Sequence, residues 1–198
     1  MAKQVRGWGA RVVLLTLVTG ALGALAGEPD LRLIRSKYYL IHTDLDDALV
    51  YDLGTRMDAM YAEYSRRLSD FNVRDERRPV DVYLFNRKSD YTAFTGTQYL
   101  HTGGIFMPAK NQIAAYLEGQ RDVLRRTLQH EAFHQFASKA IGANLPIWIN
   151  EGMALLFEEA IWTGDGFLMN QVPPRLVRQL QSDVHNNNLL SFRVLINM

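Results

Sequence analysis

Leu128 to Glu159 reads LQHEAFHQFASKAIGANLPIWINEGMALLFEE, and the fold turns on how this run is read. Its first half continues a periodic pattern that begins at Arg121 and predicts a helix to Ile141, closed by Gly142 and Asn144 with Pro146 just beyond. Inside that helix lies His130-Glu131-Ala132-Phe133-His134. Residues four apart on a helix differ by about 40° around the axis and ~6 Å along it, so both imidazoles point the same way. Together they can grip one metal ion at ~2.0–2.1 Å from each nitrogen. Glu131 stands about 100° round from His130. It lies beside such an ion without occupying it, where a carboxylate can take a proton from metal-bound water. Two helix histidines can also simply pair with nearby carboxylates; the glutamate between them, in a helical context, favours the metal.

A catalytic zinc site typically has three protein ligands and an open position for water. Glu151 is the best candidate for the third. The first helix carries the chain ~10 Å past His134, and residues 142–149 can span as much as ~26 Å on the way back. Asn150 is the expected cap of a second helix from Glu151 to Ile161. Trp148 is expected to anchor that return, and Gly152 to permit close packing against the first helix. Alternatively, Glu151 is an ordinary first-turn acid facing the helix dipole, but its distance from the histidine pair favours a ligand. Glu158 falls nearly on the same helix face two turns later. It could back a histidine, though a solvated acid is the favoured expectation. Glu159 and Asp165 have no placement argument.

Outward from this run, Gly103 to Phe106 and Ile113 to Leu117 flank Pro108 to Asn111 and predict a hairpin. Ser89 is the expected cap of a short helix ending at Gly96. Val80 to Phe85 (VDVYLF) alternates like a half-buried strand, and Tyr38 to Thr43 (YYLIHT) is the expected first strand. Between them Asp44 is the expected cap of a long helix whose core stripe is Leu49, Leu53, Met57, Met60, Tyr64, Leu68 and Phe71. After the second motif helix, Leu176, Val177, Leu180 and Val184 make an amphipathic stretch ending near His185. Strands and helices in this order predict an α+β domain without regular βαβ alternation.

The chain has 198 residues and no cysteine, which excludes disulfides, thiolate metal sites and a cysteine nucleophile. Lys3, Arg6 and Arg11 precede the apolar Val12 to Val18, and Ala24-Leu25-Ala26 offers small residues at a cleavage site. Residues 1–26 therefore read as a signal peptide, leaving 27–198 as one domain in a secreted or periplasmic protein. The apolar part is short of the ~20 residues that span a bilayer, so a membrane anchor is the lesser alternative. Removing three basic residues from 22 Lys+Arg, against 21 Asp+Glu, leaves a net charge of −2. That balance gives no case for nucleic acid.

The run from Leu128 to Glu159 resembles the gluzincin metallopeptidases, especially the bacterial peptidase MA-like group of secreted proteins. The likeness covers most of residues 37 to 160, although its specific part is H-E-x-x-H with P-x-W-x-x-E-G. It implies a zincin-like domain, a small mixed sheet packed on the motif helix and a following glutamate-bearing helix. It also implies one Zn²⁺ held by His130, His134 and Glu151, with Glu131 as general base. Two departures stand out. Leu155 occupies the position where thermolysin-like members carry an acid that orients a histidine, so another group must fix that tautomer. Leu189 to Met198 ends on an apolar run where relatives continue, so the domain is expected to be either minimal or C-terminally truncated. His42, His101 and His185 are the remaining histidines that could stabilise an oxyanion, and nothing selects among them.

The expected activity is zinc-dependent hydrolysis of peptide bonds in a peptide or protein substrate, by a metalloendopeptidase or an aminopeptidase-like enzyme. The strand at Gly103 to Phe106 either holds an extended peptide by strand addition, as the resemblance implies, or belongs to the core. The rival is an inactive pseudopeptidase that binds peptides or proteins through the same groove. Glu131 argues against it, since a pure binder needs no base, and the abrupt end argues for it.

Overall fold

The computed structural model describes residues 30–71, 78–117, 119–142 and 145–196. The segment read as a signal peptide, Asn144 and the last two residues of the Leu189 to Met198 run lie outside them. Five strands form one mixed sheet: β1 (Arg32–Arg35), β2 (Tyr39–Thr43), β3 (Val80–Phe85), β4 (Gly104–Met107) and β5 (Gln112–Tyr116), in the spatial order β1-β2-β3-β5-β4. The two inner pairings, β2 with β3 and β3 with β5, are parallel, while both edges pair antiparallel. Parallel neighbours need crossovers, and helices make them: α1 (Asp47–Arg67) between β2 and β3, and α2 (Lys88–Thr95) between β3 and the hairpin. The molecule is thus α+β as expected, with more βαβ character at its centre than the sequence suggested.

α1 begins two residues later than expected. Asp46, not Asp44, caps it by accepting from the Leu49 N–H at 2.9 Å. Asp44 instead accepts from the Asn86 N–H at 2.7 Å and ties the end of β2 to the end of β3. The stripe from Leu49 to Leu68 is buried as read, but Phe71 lies beyond the helix and is half exposed. α2 runs as predicted to Gly96, yet Arg87 precedes it and Ser89 caps nothing. β1 was not foreseen. It is short and mostly exposed, a sheet edge with arginine at either end.

Two apolar cores sandwich the sheet. On one face Ile41, Val82, Leu84, Ile113 and Ala115 pack against α1 and against α3 (Arg121–Ala140). On the other, Phe85, Tyr91, Ala114 and Tyr116 gather beneath α2. The β4–β5 hairpin turns at Pro108 to Asn111, and Asn111 takes the left-handed conformation (φ 52°) that asparagine tolerates best after glycine. Gly104 has a steric reason. A Cβ there would fall 2.5 Å from the Thr127 Cγ2, so the missing side chain lets α3 lie close across the edge strand.

α4 (Ile147–Glu158) follows α3 and packs along it. A small hairpin, β6 (Ile161–Trp162) with β7 (Phe167–Leu168), then lies near α1, with the Arg56 guanidinium 5.4 Å from the Trp162 ring centre. α5 (Pro174–His185) and α6 (Phe192–Ile196) bury no side chain. Among the described residues no helix is long and apolar enough to cross a membrane.

Candidate metal centre

α3 carries His130, Glu131 and His134, and α4 carries Glu151 on its second turn. Aromatic packing sets the helix crossing. Phe133 stacks on Phe157 with ring centres 5.1 Å apart, and Tyr64 of α1 meets Phe157 edge-on at 4.6 Å. Ala132, Ala137 and Ala154 are small and buried in the same core, so the backbones can approach. Gln129 then bolts the helices together. Its buried amide nitrogen donates to the carbonyls of Glu158 at 3.1 Å and of Phe157 at 2.8 Å, the latter also accepting the Ala160 N–H at 3.1 Å at the end of α4. The Tyr64 hydroxyl donates in turn to the Gln129 carbonyl at 2.5 Å.

α4 departs from expectation at its start. Pro146, with φ −53° and ψ 139°, precedes the first helical residue, so the helix begins at Ile147 and ends at Glu158, short of Ile161. Asn150 lies inside the helix and caps nothing, and Glu151 is no longer a first-turn acid. Trp148 is partly exposed rather than an anchor. Gly152 is exposed, with nothing within 4 Å of where a Cβ would stand, so it does not serve close packing on α3.

Donor atoms of three residues meet. His134 Nε2 lies 3.0 Å from His130 Nε2. Glu151 closes the triangle, with Oε2 3.4 Å from His130 Nε2 and Oε1 3.6 Å from His134 Nε2. Donors bound tetrahedrally at ~2.0–2.1 Å stand about 3.3 Å from one another, so these atoms have the spacing of ligands on one ion. Among the described residues they are the one His, Cys, Asp or Glu group tight enough to hold a metal. The imidazoles are largely covered, at 22% and 13% exposed, whereas the Glu151 side chain is 55% exposed.

What stands behind the histidines corrects the sequence reading. Glu158 is not a solvated acid: its Oε2 lies 3.0 Å from His130 Nδ1. A carboxylate there accepts the Nδ1 proton and leaves the Nε2 lone pair facing Glu151 and His134. It fills the role left open by Leu155, three residues further along α4. Burial disfavours the His130 imidazolium, but Glu158, Glu131 and Glu151 outweigh it and raise the His130 pKa. His134 Nδ1 is buried with no hydrogen-bond partner among the described residues.

Glu131 lines the same groove on its β4 side, and its Oε2 accepts the Phe106 N–H at 2.8 Å. Burial raises its carboxyl pKa, against the pull of His130, His134 and that N–H. The carboxylate is therefore both aimed and more basic than a solvent-exposed one. Glu131, His130, His134 and Glu151 all line a groove of about 480 Å³ between β4, α3 and α4.

The other histidines stand apart. His42 lies on the sheet face opposite α3, stacked on Tyr83 at 4.4 Å and 2.8 Å from Asp81 Oδ1. His101 is in an exposed turn, and His185 ends α5 in solvent. None lines the groove; Thr102 and Asn150 do. The Thr102 hydroxyl is fixed by the Tyr91 hydroxyl at 2.6 Å and by the Tyr99 carbonyl at 2.9 Å. Glu159 is buried against Arg175, and Asp165 accepts from Thr163 at 2.9 Å. Comparison with protein-family models gives no match for this chain, and comparison with curated proteins gives none either.

Proposed function

We propose that this chain is an exported zinc-dependent peptidase of gluzincin type, built on a zincin-like domain. The observation that carries the reading is the convergence of His130 Nε2, His134 Nε2 and Glu151 at 3.0 to 3.6 Å, with the Glu131 carboxylate held alongside. Two imidazoles and a carboxylate suit Zn²⁺, which bound there supplies a Lewis acid for a carbonyl and a water of pKa near ~7. Glu131, fixed by the Phe106 N–H, accepts the water proton and later delivers it to the leaving amine. Glu158 keeps the His130 proton on Nδ1, so that Nε2 stays available. Export rests on the charge and hydropathy pattern of residues 1–26 alone.

Hydrolysis of a quenched peptide library by zinc-loaded protein, with Glu131→Gln as the control, tests this. The substitution keeps the zinc and lowers the rate by about 10²- to 10⁴-fold. Equal inertness of both proteins at equal zinc content rejects the peptidase and leaves a peptide-binding module.

A further inference from the structure

We propose that a second cavity, across Glu158 from His130, binds a free amino acid or a like zwitterion and loosens the hold on the metal when filled. The inference takes the metal centre from the reading above, whereas the cavity and its charges stand apart from it. The cavity holds about 390 Å³, a size that suits a small ligand. It lies between α3, the end of α4 and the Pro173-Pro174 step into α5. Glu158 lines it and does not line the groove; His130 lines the groove and does not line the cavity. Glu158 Oε2 lies 3.0 Å from His130 Nδ1, and its Oε1 has no hydrogen bond among the described residues.

Arg126 lines the same cavity. It precedes His130 by one turn on the same side of α3, which is why its guanidinium and the Glu158 carboxylate border one space. Among the described residues Arg126 makes no ion pair. Glu159, also in the wall, is already matched by Arg175. The cavity therefore offers one uncommitted positive charge and one carboxylate oxygen without a partner. A simple cation or anion answers one and leaves the other, whereas a zwitterion answers both with charge-assisted hydrogen bonds. The rest of the wall is mostly apolar, and its Ile161 and Val172 are 52% and 68% exposed. A ligand side chain that covers them gains by leaving water. Once an ammonium holds Oε1, the carboxylate accepts less strongly from Nδ1, and His130 becomes a weaker metal ligand.

The test titrates chelator-treated, folded protein with L-leucine in a calorimeter, beside N-acetyl-leucine and leucinamide, which each lack one charge. Leucine binds. The two blocked forms bind at least about 10-fold more weakly, the loss of one hydrogen bond to a charged group. Leucine loses as much on Arg126→Ala and on Glu158→Gln. Competition with a chelating dye then reads zinc affinity at saturating leucine, with Arg126→Ala correcting for zinc that leucine itself chelates. Beyond that correction the affinity falls about 3- to 10-fold, part of what losing an outer partner costs. Zinc lowers leucine affinity by the same factor. No leucine binding, binding indifferent to Arg126→Ala, or zinc affinity that leucine leaves unchanged overturns the proposal. Coupled binding by a protein that cleaves no peptide upholds it and rejects the peptidase, and cleavage without leucine binding does the reverse. A chain that takes no zinc with or without leucine rejects both.

Discussion

Behind His130 stands Glu158, and behind His134 stands no hydrogen-bond acceptor among the described residues. Outer partners of metal ligands hold ring orientation and tautomer, and their loss typically weakens binding 10- to 100-fold. Glu158→Ala therefore weakens zinc binding by about that factor. Glu158→Gln retains most of the affinity, because a carboxamide oxygen still accepts from Nδ1. Competition titration against a chelating dye reads both. The spacing of Glu158 from Glu151 was legible in the sequence, since both fall on one side of a helix. Whether that side met solvent or an imidazole depended on how α3 crosses α4, which no local pattern encodes. The same holds for Gly152, where a glycine in a plausible place proved to face solvent.

The crossing of α3 and α4 hinges on Gln129, which satisfies two carbonyls at the end of α4. Gln129→Leu leaves the Glu158 carbonyl without this donor, while the Phe157 carbonyl keeps the Ala160 N–H, and it costs about 1–3 kcal/mol, the range typical of one orphaned buried group. Urea unfolding measures that cost, and zinc affinity falls with it because Glu158 is set free. α1 and α3 are joined by Asp52, which accepts from Arg56 at 2.8 Å and Arg125 at 2.9 Å. Burial raises the Asp52 pKa, but the two arginines more than offset it and leave it lowered. A depressed carboxylate stabilises the fold above its unfolded pKa of ~3.9, and that stability is lost as pH falls through the folded value. Asp52→Asn therefore costs about 1 kcal/mol at pH 7 and progressively less below pH ~4, read by thermal melts across pH. Most helices and strands were legible because their apolar periods and turns were strong. The start of α4 was not: Asn150 resembled a cap, while Pro146 held the extended conformation from which the helix begins earlier. β1 was too short and too charged to show a strand pattern, and the parallel order of β2, β3 and β5 is a property of the assembled sheet.

At the scale of the molecule, a chain without cysteine has packing and any bound ion to hold it together. The three residues proposed as ligands come from two helices that pack with α1 in one core, so an ion held by them would link much of that core. A ligand at 1,000 times its dissociation constant stabilises the folded state by about 4 kcal/mol. For a domain of this size that raises Tm by about 10 °C. Zinc addition to chelator-treated protein should give that rise in a thermal melt, and His130→Ala should abolish it. The most direct measurement is zinc stoichiometry and affinity for wild type, His134→Ala and Glu151→Ala, determined by titration of chelator-treated, folded protein. One zinc per chain, weakened at least 100-fold by either substitution, is the expected result. Zinc binding indifferent to Glu151→Ala, or no stoichiometric zinc at all, contradicts the account.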